Sequence, residues 1–328
     1  MSTSRQYGFV LIRIAVIAIL IILLLWKINI VSLFKYFDLQ MLFSILMVQP
    51  IVLVGISIIA IRFSTLVAKP KPRFTHTFEA IILSYGFNNF IPGRISELLK
   101  ATYLKDRAGI PIRISLAAIF LERMMDIVIL CTLGLTVIIL SLLYANLFVL
   151  IVPLAVVLFI LISLPRFEQF LVNLISHMPW KRLKVFLGDF ISQSSSRLKE
   201  GDFFIAAIFG LAGWAVSLVT VAFLVNLAGN IPIGPIGVLE VFVATTIGMA
   251  IPAIPGGFGT YEAGGVFVLT GFGYNLEEAL AMAIALHFSQ IIMSVVGSLF
   301  ILAFHRVGLS SLVKQAIKFT KSDRIDEI

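Results

Sequence analysis

The chain has 328 residues, of which 60% are hydrophobic and 13% are charged, about half the charged share of an ordinary soluble domain. This composition predicts an all-α polytopic membrane protein and leaves no stretch for a separate soluble catalytic domain. The single cysteine excludes an internal disulfide framework and metal-binding cysteine spacings, so we expect no metal and no cofactor.

In chain order, six apolar stretches are long enough, or nearly so, to cross a hydrocarbon core of about 30 Å at about 1.5 Å per residue. They lie near residues 8–26, 41–61, 114–143, 147–164, 203–229 and 279–304. Two more apolar stretches, 77–99 and 238–273, are interrupted by Pro and Gly, so each arm is too short to span. We therefore predict about six full spans and two re-entrant helical hairpins.

The positions of Lys and Arg predict the orientation, because these residues accumulate in cytoplasmic loops. With the N-terminus inside, nearly all of them, including Arg62 and Lys100, fall in inner segments, whereas the outer loops hold only Lys27 and Lys35. Both termini are therefore predicted to be cytoplasmic in a multi-pass plasma-membrane protein. The net charge of +8 then orients the chain and attracts anionic headgroups, so no nucleic-acid partner is expected.

The longest polar interval, 165–202, is amphipathic and connects the two halves of the chain. Two interpretations are open: a helix pair on the inner membrane surface, or an ordinary connecting loop that contains some helix.

The two halves, roughly 41–164 and 203–304, form an inverted repeat within one domain that spans 1–328. In the predicted topology each half places a hairpin between two spans, and the halves run in opposite directions. Inverted repeats with broken helices build the substrate sites of several transporter folds.

The hairpin tips are related in sequence. We call FIPGRISE the first tip and AIPGGFGTYE the second tip; each has a Pro-Gly turn and ends on a glutamate, Glu97 or Glu262. The residue 25 positions after each glutamate is also polar, Glu122 in the first half and His287 in the second. Turn, glutamate and orientation therefore all support the repeat.

The first tip has the composition of an anion site. Its Pro-Gly break ends one helix and begins another, so backbone N–H groups and the Arg94 guanidinium point into the same space. Arg suits a phosphate group, and a charge at membrane depth is costly unless something pairs with it. Mutual neutralisation of Arg94 and Glu97 is the structural alternative. Asn88 and Asn89 can line the same hairpin as neutral donors.

In the second tip, Gly256 and Gly257 supply bare backbone, which either a ligand or a facing helix can approach closely. Glu262 is expected to bind a cation, to carry a proton, or to pair with Arg94 or Arg123.

The third span contains FLERMMDIVIL, which places Glu122 and Asp126 on one helix face with Arg123 beside them. An internal salt-bridge lock and a functional role are equally open for this cluster. His287, within ALHFSQIIM, is either a proton relay or a hydrogen-bonded packing residue.

The segments NNFIPGRISELLK, LERMMD and IPAIPGGFGTYEAG together resemble the flippase-like membrane domain that lysylphosphatidylglycerol synthetases share with many stand-alone proteins. The family patterns read Pro-x-Arg-x-Gly-Glu and Pro-Gly-Gly-x-Gly-x-x-Glu, and Ser96 stands in place of the glycine of the first. The resemblance covers nearly the whole chain and implies movement of an aminoacylated or other anionic phospholipid between leaflets. Some relatives are linked to polyprenyl-phosphate sugar pathways. The synthetases' soluble aminoacyl-transferase domain is not in this sequence, so lipid aminoacylation is not implied.

Three functions follow as hypotheses. The leading one is a lipid flippase or transporter, in which Arg94 holds a lipid phosphate while Glu262 and Glu97 balance charge or couple protons. The second is a membrane-embedded transferase or phosphatase acting on a polyprenyl-phosphate lipid, with Glu97, Glu122, Asp126 and Glu262 as metal ligands or acid/base groups. Since the sequence has no nucleotide-binding motif, we expect no enzyme. The third is a non-catalytic membrane partner; a second copy of the chain or a lipid-modifying enzyme is the expected protein partner.

Overall fold

The computed structural model describes residues 29–67, 69–91, 95–143, 201–251 and 255–305, and every regular element in these ranges is a helix. The helices are α1 (Ile30–Lys35), α2 (Leu39–Met47), α3 (Gln49–Leu66), α4 (Phe74–Asn88), α5 (Ile95–Ala108), α6 (Ile112–Leu143), α7 (Gly201–Ala228), α8 (Pro235–Ala250), α9 (Thr260–Gly271) and α10 (Leu276–His305). A short 3-10 turn, Pro255–Gly257, lies between α8 and α9. The predicted all-α class is confirmed for this part of the chain.

Four helical segments of the described ranges are long and apolar enough to cross a membrane. They are Leu39–Leu66, Ile112–Leu140, Asp202–Ala228 and Leu276–His305, and they coincide with four of the six predicted spans. Large apolar side chains such as Ile138 and Phe300 are exposed on these helices, as expected of a surface that lipid covers. The protein is therefore a helical membrane protein. The spans predicted at 8–26 and 147–164 lie outside the described residues.

The span predicted at 41–61 consists of two helices, α2 and α3, that meet at Val48. The backbone of Val48 stays in the right-handed helical region, with φ −80° and ψ −12°, so the chain continues without a sharp turn. Pro50, the second residue of α3, supplies no N–H for a continuous helical ladder, which explains why the two helices are separate.

Two helical hairpins occur where the Pro-Gly interruptions predict them. Helix α4 packs against α5, and α8 packs against α9. The four arms have 15, 14, 16 and 12 residues. At about 1.5 Å per residue each arm is about 18–24 Å long, which is short of a bilayer core of about 30 Å. Each hairpin is thus a pair of half-length helices.

The second arm of the first hairpin is longer than the sequence predicts. Helix α5 continues past residue 99 to Ala108, because Ala101 and Leu104 bury an apolar face while Lys105 stays exposed. An amphipathic helix of this kind is stabilised by packing of one face rather than by overall hydrophobicity. Lys100, predicted to begin a loop, therefore lies inside a packed helix.

Glu79 of α4 joins the base of the first hairpin to the end of α10. Its carboxylate accepts a hydrogen bond from the Tyr103 hydroxyl at 2.6 Å, and its other oxygen lies 3.0 Å from His305 Nε2. Burial and the hydrogen bond to Glu79 raise the pKa of Tyr103. The two arms of the hairpin are thereby held together at the end opposite to the first tip.

The described residues divide into two compact units. One unit takes the residues up to Val48 and Val221–Ser289, and the other takes Gln49–Thr220 and the residues from Gln290 onward. The first hairpin belongs to the unit that begins at Gln49, and the second hairpin to the other unit. The amphipathic connector predicted at 165–202 lies, apart from its last two residues, outside the described residues, as do both chain termini.

Candidate functional site

The first tip is only partly described, because Pro92, Gly93 and Arg94 lie outside the described residues. Helix α5 begins directly after Arg94, at Ile95, and carries Glu97 in its first turn, where a carboxylate interacts favourably with the helix dipole. The role predicted for Arg94 therefore stays a prediction, and its neighbours on α5 set the surroundings that follow.

Asn88 and Asn89 have different roles in the hairpin. The buried Ser96 hydroxyl donates to Asn88 Oδ1 at 3.2 Å, so Asn88 connects the two arms across the break. Asn89 instead donates to the backbone carbonyls of Tyr85 and Gly86, one helical turn back. Ser96, which departs from the family's glycine, thus forms an inter-arm hydrogen bond that glycine could not make.

Six charged side chains from α3, α5 and α6 come together behind the first tip, and we call them the charge cluster: Arg62, Glu97, Lys100, Glu122, Arg123 and Asp126. Its centre is the Lys100–Glu122 pair, in which Nζ lies 2.7 Å from Oε2 and both side chains are 1% exposed. Phe63 covers the Lys100 ammonium, with its ring centroid 4.3 Å away. This pair is fully removed from solvent.

Arg62 of α3 makes the second short ion pair of the charge cluster. Its Nη1 lies 2.7 Å from Asp126 Oδ1, and its Nη2 donates to the backbone carbonyl of Glu122 at 2.8 Å. Trp214 Nε1 donates to the same Asp126 oxygen at 3.1 Å. Three helices, α3, α6 and α7, are therefore joined through Asp126.

Arg123 occupies the more exposed edge of the charge cluster and faces three carboxylates. It lies 3.6 Å from Glu97, 3.4 Å from Glu122 and 3.3 Å from Asp126. At 29% exposure, it is the cation of the cluster that solvent or a ligand can reach. Glu122 Oε1 is buried and accepts no hydrogen bond, so the buried interior is not fully satisfied.

The predicted grouping of Glu122, Arg123 and Asp126 is found, but the sequence reading missed two of the cluster's cations. The positive-inside rule places Arg62 and Lys100 in inner loops, whereas these residues are 3% and 1% exposed. The available signal was local: each lies between apolar residues at helical spacing, in IAIRFSTL and SELLKATYL. A cation on an apolar face needs a buried carboxylate partner.

The second tip is shaped by glycines in a left-handed conformation. Gly256, Gly257 and Gly259 have φ values of 66°, 73° and 86°, which other residues adopt only with strain. A Cβ on Gly257 would lie 2.9 Å from the sulfur of Met249. The observed role of Gly257 is thus close packing against α8, one of the two roles predicted for it.

Glu262 pairs with His287 of α10, and among the described residues of its unit it forms no ion pair with a Lys or Arg side chain. Its Oε1 lies 2.6 Å from His287 Nδ1, and its Oε2 accepts the N–H of Gly259, the N-cap residue of α9, at 2.6 Å. The other ring nitrogen, Nε2, lies 2.9 Å from the carbonyl oxygen of Gly256. His287 therefore bridges the turn and the first helical turn of α9.

Aromatic rings enclose this histidine. Tyr261 stacks on the imidazole with centroids 4.4 Å apart, and Phe258 lies 4.9 Å away. His287 itself is 0% exposed. Of the alternatives predicted for Glu262, pairing with Arg123 or Arg94 is untested, since Arg123 belongs to the other unit and Arg94 lies outside the described residues.

The two hairpins share one arrangement. In each, the tip glutamate and the polar residue 25 positions later enter the same polar network: Glu97 and Glu122 through Arg123, and Glu262 and His287 directly. Each tip is thus connected to the membrane helix that follows it.

Comparison with known families identifies the family to which the chain belongs. The profile described as lysylphosphatidylglycerol synthase TM region matches residues 10–298, most of the chain. The chain belongs to this family. The lysylphosphatidylglycerol synthase TM region is a membrane domain related to lipid metabolism, which agrees with the resemblance carried by the two tips. No curated protein and no solved structure matches the chain.

Proposed function

We propose that this protein is a lipid transporter, a flippase that moves an anionic phospholipid or a polyprenyl-phosphate lipid between the leaflets. In this proposal the chain has about six spans with both termini in the cytoplasm, and the two hairpins enter the membrane from opposite sides. The halves 41–164 and 203–304 then form an inverted repeat within a single domain.

The observation that carries the proposal is the connection of each broken hairpin tip to the following membrane helix through polar side chains. Such a connection lets a change at the tip, such as the arrival of a headgroup, alter the packing of a whole helix. In the first hairpin the described cluster contains three cations and three carboxylates, so its own charges balance. Arg94 adds one further cation in the residue before α5. We propose that a lipid phosphate balances this charge.

The enzymatic alternative receives less support from the same geometry. Each carboxylate that it would use has a partner: Glu97 and Glu122 face Arg123, Asp126 faces Arg62, and Glu262 faces His287. Within the described ranges no three of His, Cys, Asp and Glu group together as ligands for a metal ion.

Leaflet exchange of fluorescent phosphatidylglycerol in proteoliposomes tests the proposal. We expect wild-type protein to accelerate exchange over protein-free liposomes, and to do so less for zwitterionic phosphatidylcholine, since Arg94 recognises net negative charge. A polyprenyl-phosphate lipid in a parallel series distinguishes the two substrate classes. If wild-type protein accelerates none of these lipids, the proposed function is wrong.

A further inference from the structure

The hydrogen bonds of His287 determine how many protons the second tip contains. A carbonyl oxygen only accepts hydrogen bonds, so the contact with Gly256 places a hydrogen on Nε2. The 2.6 Å contact between Nδ1 and Glu262 Oε1 also needs a hydrogen, because a lone pair and a carboxylate oxygen at that distance repel. One proton is therefore shared between the ring and the carboxylate. Imidazolium with carboxylate and neutral imidazole with carboxylic acid both satisfy this geometry.

We propose that this shared proton latches the second tip onto α10 and that its loss releases the tip, which makes Glu262 and His287 the proton-coupling pair of the protein. The coupling part rests on the proposed transport function, whereas the latch itself does not. His287 acts here as a positioning residue for the tip.

The charges around the pair explain why the proton controls docking. Segment 221–289 contains no Lys and no Arg, and the cation among the described residues 29–48 of the same unit is Lys35, the last residue of α1, with which Glu262 forms no ion pair. The other titratable groups of this segment are Glu240 on α8, Glu277 and Glu278 at the start of α10, and the phenols Tyr261 and Tyr274. All of these become negative or stay neutral when they lose a proton, so none can balance a deprotonated pair.

Loss of the shared proton leaves one net negative charge and two facing acceptors in a buried, aromatic-lined site. A buried charge without a partner is costly, so the tip is expected to open and let water reach the carboxylate. The charge cluster of the first hairpin differs in this respect, since Arg62 and Arg123, whose guanidinium groups stay protonated, supply two of its three positive charges. Of these two described networks, only the Glu262–His287 pair includes a histidine.

The substitution Glu262→Gln removes the shared proton while it keeps the other contacts of the site. The glutamine amide can donate to Nδ1 of neutral His287, while its oxygen accepts from the Gly259 N–H, so both original contacts remain without the shared proton. This variant is therefore expected to stay latched toward high pH, where wild type opens. His287→Ala removes the bridge to Gly256 as well and is expected to be open at every pH.

Hydrogen–deuterium exchange of the full-length protein in nanodiscs measures the latch without any transport. Protection factors of the peptide 255–262, corrected for intrinsic exchange, are compared at about pH 5.5, 7 and 8.5, a range that brackets histidine titration. In wild type we expect protection to fall about tenfold or more toward high pH, the effect of losing one charge-assisted hydrogen bond. Protection should stay level in Glu262→Gln and low in His287→Ala. The α8 peptide 235–250 serves as internal control and should stay protected throughout.

Wild-type protection that is independent of pH, or a fall of equal size in Glu262→Gln, would overturn the latch. A fall shared by the α8 peptide would also overturn it, because it would report unfolding of the whole unit. A working latch in a protein that moves no lipid refutes the transport function and the coupling role that rests on it, and leaves the latch standing. Lipid exchange without the latch refutes only the present inference.

Discussion

At the scale of single residues, the protein holds its buried carboxylates in two different ways. Glu122 faces the ammonium of Lys100 at 2.7 Å, with the guanidinium of Arg123 at 3.4 Å. Glu262 instead faces His287, a residue whose charge depends on a proton. In the first arrangement the guanidinium of Arg123 stays charged over the whole physiological pH range. In the second the charge of the partner depends on a proton, and the proposed latch rests on this difference.

Removing Lys100 tests the packing role. Lys100→Ala leaves Glu122 buried without its closest partner, and we expect a loss of about 3–5 kcal/mol in the free energy of unfolding. The exposed Lys105→Ala, five residues further along the same helix, should change stability by less than about 0.5 kcal/mol. Chemical unfolding in detergent measures both.

The double variant Lys100→Met with Glu122→Gln controls for the loss of volume and charge. It removes both charges and should recover most of the lost stability, since a neutral pair of similar size needs no ion partner. Equal loss in the single and double variants would show that the pair is not the source of the effect.

Sequence reasoning at this scale found the carboxylates and missed the buried cations. Glu122, Asp126 and Glu262 stand out in the sequence because an acidic residue within an apolar run is costly to bury and therefore indicates a specific partner or a function. The positive-inside rule accounts for any cation near a span end and therefore predicts Arg62 and Lys100 as loop residues. Only packing of α3 and α5 shows that these side chains turn inward.

At the scale of elements, the second hairpin depends on close contact between α8 and α9. A Cβ on Gly264 would lie 2.8 Å from the carbonyl carbon of Ala244 on α8, and one on Gly265 would lie 2.8 Å from the Ala283 Cβ on α10. Gly264 therefore lets α9 approach α8 closely, and Gly265 lets it approach α10. The Pro-Gly interruptions predicted the two packed helix pairs, and the re-entrant insertion of these pairs stays a prediction. The glycines of α9 are visible as contact residues only in the folded chain.

A matched pair of glycine substitutions on α9 tests this contact. Gly264→Ala should cost about 1–3 kcal/mol, because its Cβ meets backbone that cannot move aside. Gly271→Ala, on the same helix with nothing within 4 Å of its Cβ, should be neutral or slightly stabilising. Unfolding in detergent measures both, and equal stability of the two variants would contradict the proposed packing role.

At the scale of the whole molecule, the proposed topology assigns a side of the membrane to every loop. Composition alone sufficed to predict a helical membrane protein, because about 20 apolar residues in a row have few other stable settings. The orientation and the full number of spans depend on residues 1–28 and 144–200, which the structure does not describe. These features therefore need an experiment on the intact chain.

Single cysteines test the topology in intact cells. In a Cys131→Ser background, Lys105→Cys should react with a membrane-impermeant thiol reagent only after lysis, and Gly234→Cys should react from outside. Both positions are exposed, and a Cβ on Gly234 meets nothing within 4 Å. The reverse labelling pattern would invert the proposed orientation, and labelling of both from one side would contradict the two-sided arrangement of the hairpins.

The central claim is that Arg94 binds the phosphate of a lipid that crosses the membrane. Its most direct test is the leaflet-exchange rate of phosphatidylglycerol with Arg94→Ala beside Lys105→Ala, at matched incorporation and matched unfolding stability. We predict at least about a tenfold slower rate for Arg94→Ala, the loss of one charge-assisted contact, partial recovery in Arg94→Lys, and a wild-type rate for Lys105→Ala. An Arg94→Ala protein that moves lipid as fast as wild type would contradict the account.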